Sequence, residues 1–193
     1  MPKTKIGVLA LQGDVYEHIL ATRSAAQKLG MNCEVVEVRE KKELAGLDGL
    51  IIPGGESTTL SMLMQRAGIF EEIKKVRKLF GTCAGAIMLS KHVEGKERRQ
   101  KFLELLDVKI KRNAIWPQVN SCEAEIETKF GKVNAIFIRA PEMLSLGKNV
   151  EVLAKYQGKP IAVYEKLKKQ HFLAATFHPE LTTTKFHEFF LKL

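Results

Sequence analysis

Apolar positions fall in short dense runs in the first half of the chain. Residues 5–11 (KIGVLAL), 33–38 (CEVVEV), 49–52 (GLII) and 79–82 (LFGT) are brief and richly apolar, and they read as buried strands. Between them lie segments of helical period. Residues 15–29 carry Ile19, Ala26 and Leu29, with Gly30 as a stop, and 57–67 and 70–77 read as two further helices. Another helix, 84–91, begins directly after the fourth strand. Strands alternating with helices at this pace predict a parallel sheet with right-handed crossovers. Such sheets bind ligands at the carboxyl ends of their strands. Three glycine-containing turns fall at such ends: Gln12-Gly13, Gly54-Gly55 and Cys83-Ala84-Gly85.

After residue 105 the pattern shifts to successive short strands, at 108–112, 122–128, 133–138, 150–156, 161–164 and 172–177. A helix over 184–193 closes the chain. No repeat, linker or low-complexity tract divides it, so one mixed α/β domain over residues 1–193 is expected.

Composition narrows the class. A chain of 193 residues, 45% hydrophobic and 27% charged, can bury a full core without disulfides. The apolar runs are far too short to span a bilayer, and the opening Met-Pro-Lys-Thr-Lys has no signal-peptide character. Three cysteines match no disulfide framework and point to reduced thiols in the cytoplasm. The net charge of +9 raises a nucleic-acid surface as an alternative. Its lysines are spread and interleaved with glutamate, as in Glu71-Glu72-Ile73-Lys74-Lys75, which is the look of solvated faces. Neither a nucleic-acid nor a membrane partner is expected.

Candidate chemistry concentrates at Cys83. Gly81-Thr82-Cys83-Ala84-Gly85 is a G-x-C-x-G, the thiol counterpart of the nucleophile elbow. The following helix aims its first N–H groups at the thiol and favours the thiolate. A free cysteine, with a pKa near about 8.5, still needs a base. His178-Pro179-Glu180 offers one: side chains at i and i+2 share a face of an extended segment, so Glu180 can orient the imidazole. The competing reading of Cys83 is a small buried hydrophobe. Cys33 and Cys122 lack such a setting and read as core or strand residues. His18, His92, His171 and His187 stand apart from any complementary motif. No spacing of His, Cys and carboxylates suggests a metal site, and no cofactor is expected. Backbone N–H groups of Ala84 and Gly55 are natural oxyanion donors.

These stretches resemble the class I glutamine amidotransferases, and within them the glutaminase subunits of pyridoxal 5′-phosphate synthase. The matching runs are LALQGD at 9–14, IPGGESTT at 52–59, GTCAG at 81–85, Arg112-Asn113, FIRAP at 137–141 and FHPELT at 177–182. The resemblance implies a flavodoxin-like class I glutamine amidotransferase fold, a mostly parallel central sheet with helices on both faces. It implies a triad of Cys83, His178 and Glu180, with Gly55 and Ala84 as oxyanion donors. It also implies glutamine contacts from Gly55, Glu56, Ser57, Arg112, Ile138 and Arg139; Glu56 suits the α-ammonium, and either arginine suits the α-carboxylate. For each arginine a surface salt bridge is the competing role. The implied reaction hydrolyses L-glutamine to glutamate and ammonia. The ammonia passes to a (β/α)8-barrel synthase subunit in a large ring complex, which docks near Gln12 and Gly13 and activates the glutaminase. Service to another synthase, and a scaffold without activity, are the alternatives. The chain departs from the family at Ala114-Ile115-Trp116-Pro117-Gln118.

Overall fold

The computed structural model describes residues 3–112 and 121–193. The 113–120 segment, including Trp116 and Pro117, lies outside the described residues.

The chain opens with β1 (Thr4–Leu9), α1 (Val15–Lys28), β2 (Cys33–Val38), a 3-10 turn (Lys41–Leu44), β3 (Gly49–Ile52), α2 (Ser57–Arg66) with the one-turn α3 (Phe70–Ile73), and β4 (Lys78–Thr82). Next come α4 (Ala84–Leu89), β5 (Ser90–Glu94) and β6 (Leu106–Lys111). The second half holds β7 (Ser121–Ile126), β8 (Val133–Ile138), β9 (Glu142–Leu146), β10 (Val150–Tyr156), β11 (Lys159–Leu167), β12 (Gln170–Ala175) and α5 (Lys185–Lys192).

The seven-stranded main sheet has the order β10-β11-β12-β4-β3-β1-β2. Pairing is parallel from β2 through β12, and β11 and β10 add an antiparallel edge. Alternate side chains feed opposite layers, as the two-residue period requires. Leu50 and Ile52 join one core with Leu60 and Met64 of α2 and Met88 of α4. Ile51 and Phe80 join the other with Ile19 of α1 and Phe186 and Phe190 of α5. The expected fold is therefore observed, a mostly parallel sheet covered on both faces. Among the described residues no helix is long and apolar enough to cross a membrane.

Three expectations about elements need correction. The helix expected over 84–91 ends at Leu89, because Ser90 is extended and opens β5, which pairs with β6. The helix expected over 70–77 stops at Ile73; the Gln170 side-chain amide donates to the carbonyls of Lys74 and Val76 and satisfies the turn into β4. Strand β9 was not expected, and it exists by antiparallel pairing with β6.

Strand order sets the site. The chain runs from β1 outward to β2 and then crosses to β3, so the rim above β1 and β3 is a switch point where ligands bind. Gln12-Gly13 leaves β1 there, Pro53-Gly54-Gly55 leaves β3, Cys83 leaves β4 and His178 follows β12.

Candidate active site

Cys83 joins β4 to α4 with φ 48° and ψ −106°, a backbone state that side chains avoid without tertiary support. Its N–H donates to the Ala175 carbonyl at 2.8 Å, tying the elbow to β12. The flanking glycines are required by contact. A methyl on Gly81 would lie 2.4 Å from the Gly85 backbone, and one on Gly85 would lie 1.9 Å from the Ile52 carbonyl oxygen. The thiol is nearly buried and lies 3.8 Å from the Ile138 carbonyl oxygen. Ala84 is the first residue of α4, so its N–H has no acceptor within the helix.

His178 and Glu180 meet, with Nδ1 2.8 Å from the Glu180 Oε1, but not through the extended segment that the i, i+2 reading expects. A turn of 3-10 helix, Pro179–Leu181, carries the carboxylate. A second carboxylate, Asp14, lies 3.1 Å from the same nitrogen. With both acids at Nδ1, the other ring nitrogen is left for the thiol. Burial opposes the imidazolium, but the hydrogen bonds to Asp14, Cys83 and Glu180 outweigh it, and the imidazole is pushed up to about 12. For Glu180 burial favours the neutral acid, yet His18 and His178 beside it hold the carboxyl well below the usual range.

The rim closes a cleft of about 560 Å³, lined by Asp14, Gly55, Glu56, Ser57, Cys83 and His178, with Ile138 and Arg139 facing them. The cleft thus gathers seven of the expected site residues. Arg139 is exposed and has φ 46°. Arg112 is different. Its buried guanidinium donates to Gln100 Oε1 at 2.6 Å, Thr58 Oγ1 at 3.0 Å and Gly95 O at 3.2 Å, and lies 3.4 Å from Glu56 Oε1. Arg112 is not among the described residues lining the cleft and reaches it through Glu56. Glu56 also caps α2, accepting from Thr58 and Thr59 N–H at 2.9 and 2.7 Å. Gln12 spans the turn after β3: Oε1 accepts from Glu56 N–H at 3.0 Å and Nε2 donates to the Gly54 carbonyl at 3.3 Å. Gly13, at φ 89°, is pressed so closely to the Gly54 carbonyl that any side chain would collide.

Sequence reasoning set His18 and His187 apart, and the structure joins them to the site. His18 is fully buried, with Nε2 2.9 Å from Thr82 Oγ1 and 3.4 Å from Glu180 Oε1, and Nδ1 3.0 Å from His187 Nε2. Burial pushes His187 down to about 3, so its imidazole is neutral. No linear motif signals contacts between residues 18, 82, 180 and 187; only the fold assembles them. His171 instead bonds the Tyr164 hydroxyl at 2.7 Å, and His92 is exposed on β5. Asp14, His178 and Glu180 also hold their ligand atoms within 4.8 Å of one another, a donor set that sequence spacing did not suggest. Both carboxylates already meet the imidazole nitrogen, which is the geometry of acid–base partners.

A strained cysteine at the rim of a 2-1-3-4 parallel sheet, beside a histidine held by carboxylates, places the chain among α/β enzymes with their site at the strand ends. The chain belongs to the SNO glutamine amidotransferase family, which matches it over residues 8–193. A relative from Pyrococcus horikoshii, named pyridoxal 5′-phosphate synthase subunit PdxT, is 46% identical, with 97% of this chain and 98% of that one covered. The protein of the same name from Thermosipho africanus is also 46% identical, with 98% of each chain covered. A solved structure titled as a glutamine amidotransferase superposes with a TM-score of 0.82 at 43% identity, covering 97% of each chain.

Proposed function

We propose that the chain is the glutaminase subunit of a pyridoxal 5′-phosphate synthase, with Cys83 as nucleophile, His178 as acid–base and Glu180 as its orienting carboxylate. The carrying observation is the His178–Glu180 pair at 2.8 Å, sharing one cleft with a strained Cys83 in a chain of this family. The Cys83 thiolate attacks the side-chain carbonyl carbon of L-glutamine. The resulting oxyanion is held by the N–H groups of Gly55 and Ala84. His178 passes a proton to the departing nitrogen, ammonia leaves and a thioester forms. His178 then takes a proton from water, hydroxide attacks the thioester, and glutamate departs with the thiolate restored.

Glu56 and Ser57 face the amino-acid end of the substrate, Arg139 and the Ile138 backbone close the opposite rim, and Arg112 holds Glu56 in place. Ammonia passes to a (β/α)8-barrel synthase subunit within a ring assembly. That subunit docks at Gln12-Gly13, whose contacts to Gly54 and Glu56 give docking a direct mechanical route to the oxyanion turn. The chain acts in the cytoplasm, as one glutaminase domain. Ammonia release from L-glutamine, with and without the synthase subunit, tests the reading. The intact protein should release ammonia and the synthase should raise the rate. Full activity in a folded Cys83→Ala variant would overturn the nucleophile, and an unchanged rate with the synthase would overturn the docking route.

A further inference from the structure

Asp14 occupies the N-cap of α1, where an aspartate ordinarily accepts a hydrogen bond from the first-turn N–H groups. Here its side chain makes no capping bond and lies 3.1 Å from the Nδ1 of His178. The stabilisation of a cap is given up for a contact to the base. One helical turn later, on the same face of α1, His18 lies against Glu180. A consistent proton assignment links these contacts. Neutral His187 donates from Nε2 to Nδ1 of His18; His18 then donates from Nε2 toward Thr82 Oγ1 and Glu180 Oε1; Glu180 accepts from Nδ1 of His178. In this arrangement the buried Nδ1 of His187, which has no partner among the described residues, is a lone pair and not a stranded N–H.

We infer that Asp14 and His18 are positioning residues of the glutaminase site: α1 grips the base and its carboxylate from one side, Asp14 as a second acceptor on His178 and His18 as a second donor to Glu180. The inference rests on the triad reading above and deepens it. It explains two buried imidazoles for which the reaction itself has no use. It also makes α1, which follows directly from Gln12-Gly13, an extension of the catalytic machinery. The charged or titratable groups around His178 are Asp14 and His18 from α1, Cys83 from the elbow, Glu180 from its own turn, His187 of α5 behind His18, and Glu56 and Arg139 across the cleft.

The test is steady-state glutaminase kinetics of the synthase-activated protein, together with the pH profile of Cys83 alkylation by iodoacetamide. Asp14→Asn should lower kcat about tenfold with KM unchanged, the scale of one charge-assisted hydrogen bond. Without that charge the imidazolium is less favoured, so thiolate formation should move about one unit to higher pH. His18→Gln, which keeps an N–H near the Nε2 position, should retain more kcat than His18→Leu at similar thermal stability. Should His18→Leu not fold, the half-exposed Asp14 still decides. A raised KM with wild-type kcat in Asp14→Asn would make Asp14 a substrate contact and overturn the inference. A wild-type kcat and alkylation profile would overturn it as well. Cys83→Ala assayed in parallel separates the two readings: activity retained there sinks the nucleophile, whereas activity lost there with an unaffected Asp14→Asn sinks only the role of α1.

Discussion

Gly85→Ala probes the elbow with a single methyl group. The added Cβ would sit 1.9 Å from the Ile52 carbonyl oxygen and 2.8 Å from its carbonyl carbon, both rigid backbone atoms of β3. Restoring even a 3.0 Å contact requires α4 and β3 to part by about 1.1 Å. Overpacking of this kind costs about 1–3 kcal/mol, here toward the upper end, offset by at most about 1 kcal/mol from alanine's helix propensity. A net loss near 2 kcal/mol corresponds to a Tm lower by about 4–8 °C for a chain of this size. The same displacement moves Cys83 and the Ala84 N–H relative to the turn after β3, and a shift of about 1 Å can lower turnover about 100-fold. Calorimetry and ammonia release read the two effects on one preparation. Gly30→Ala is the control: φ is 62° but no atom of the described residues lies within 4 Å of the added methyl, so it should lose about 1–2 kcal/mol from backbone strain alone and keep its turnover. A Gly85→Ala protein with unchanged Tm and full activity would refute the claim that contact between α4 and β3 sets the nucleophile.

Glu180→Gln breaks a buried pair. The loss should be about 3 kcal/mol, at the low end for such pairs because His178 can shed its proton, or about 6–12 °C in Tm. The Glu180 carboxyl is depressed in the fold, so its contribution is present above the unfolded value near about 4.3 and lost on acidification; the raised His178 contributes fully below about 6.5 and fades as pH climbs toward about 12. The Tm gap between wild type and variant should therefore be widest from about pH 5 to 6.5, narrow above that as the His178 contribution fades, and shrink below about pH 4; a gap that widens in acid would contradict the ionised pair. Glu56→Ala removes the cap of α2, costs about 1 kcal/mol and should raise KM for glutamine more than it lowers kcat. A change confined to kcat would place Glu56 elsewhere in the reaction.

Much of the scaffold was legible because its signals are local. The GLII run gives β3 its register, and two glycines around Cys83 announce a turn that nothing larger could make. His178 and Glu180 are close because only Pro179 separates them, although the 3-10 turn that joins their side chains, in place of an extended segment, was not legible. What escaped depends on distant partners. β5 is a strand because β6 lies beside it, although its sequence continues the helix before it. His18 looks like any helical histidine until α5 and the turn after β12 bring His187 and Glu180 against it. Asp14 reads as a cap, and only the position of His178 shows why it does not act as one. Arg112 has a fork suited to a carboxylate, yet both of its Nη groups are engaged by Glu56, Thr58, Gln100 and Gly95, while its buried Nε has no partner among the described residues.

The central claim is that Cys83 attacks the side-chain amide carbon of glutamine, and covalent trapping tests it most directly. The protein, with the synthase subunit present, would be treated with an electrophilic glutamine analogue carrying a chloroketone in place of the amide, and the adduct located by peptide mass spectrometry. Cys33 and Cys122, both free and partly exposed, serve as internal controls. The expected result is one adduct per chain on Cys83, suppressed by L-glutamine and absent from Cys83→Ala. Labelling of Cys33 or Cys122 at a similar rate, or ammonia release that survives complete modification of Cys83, would contradict it.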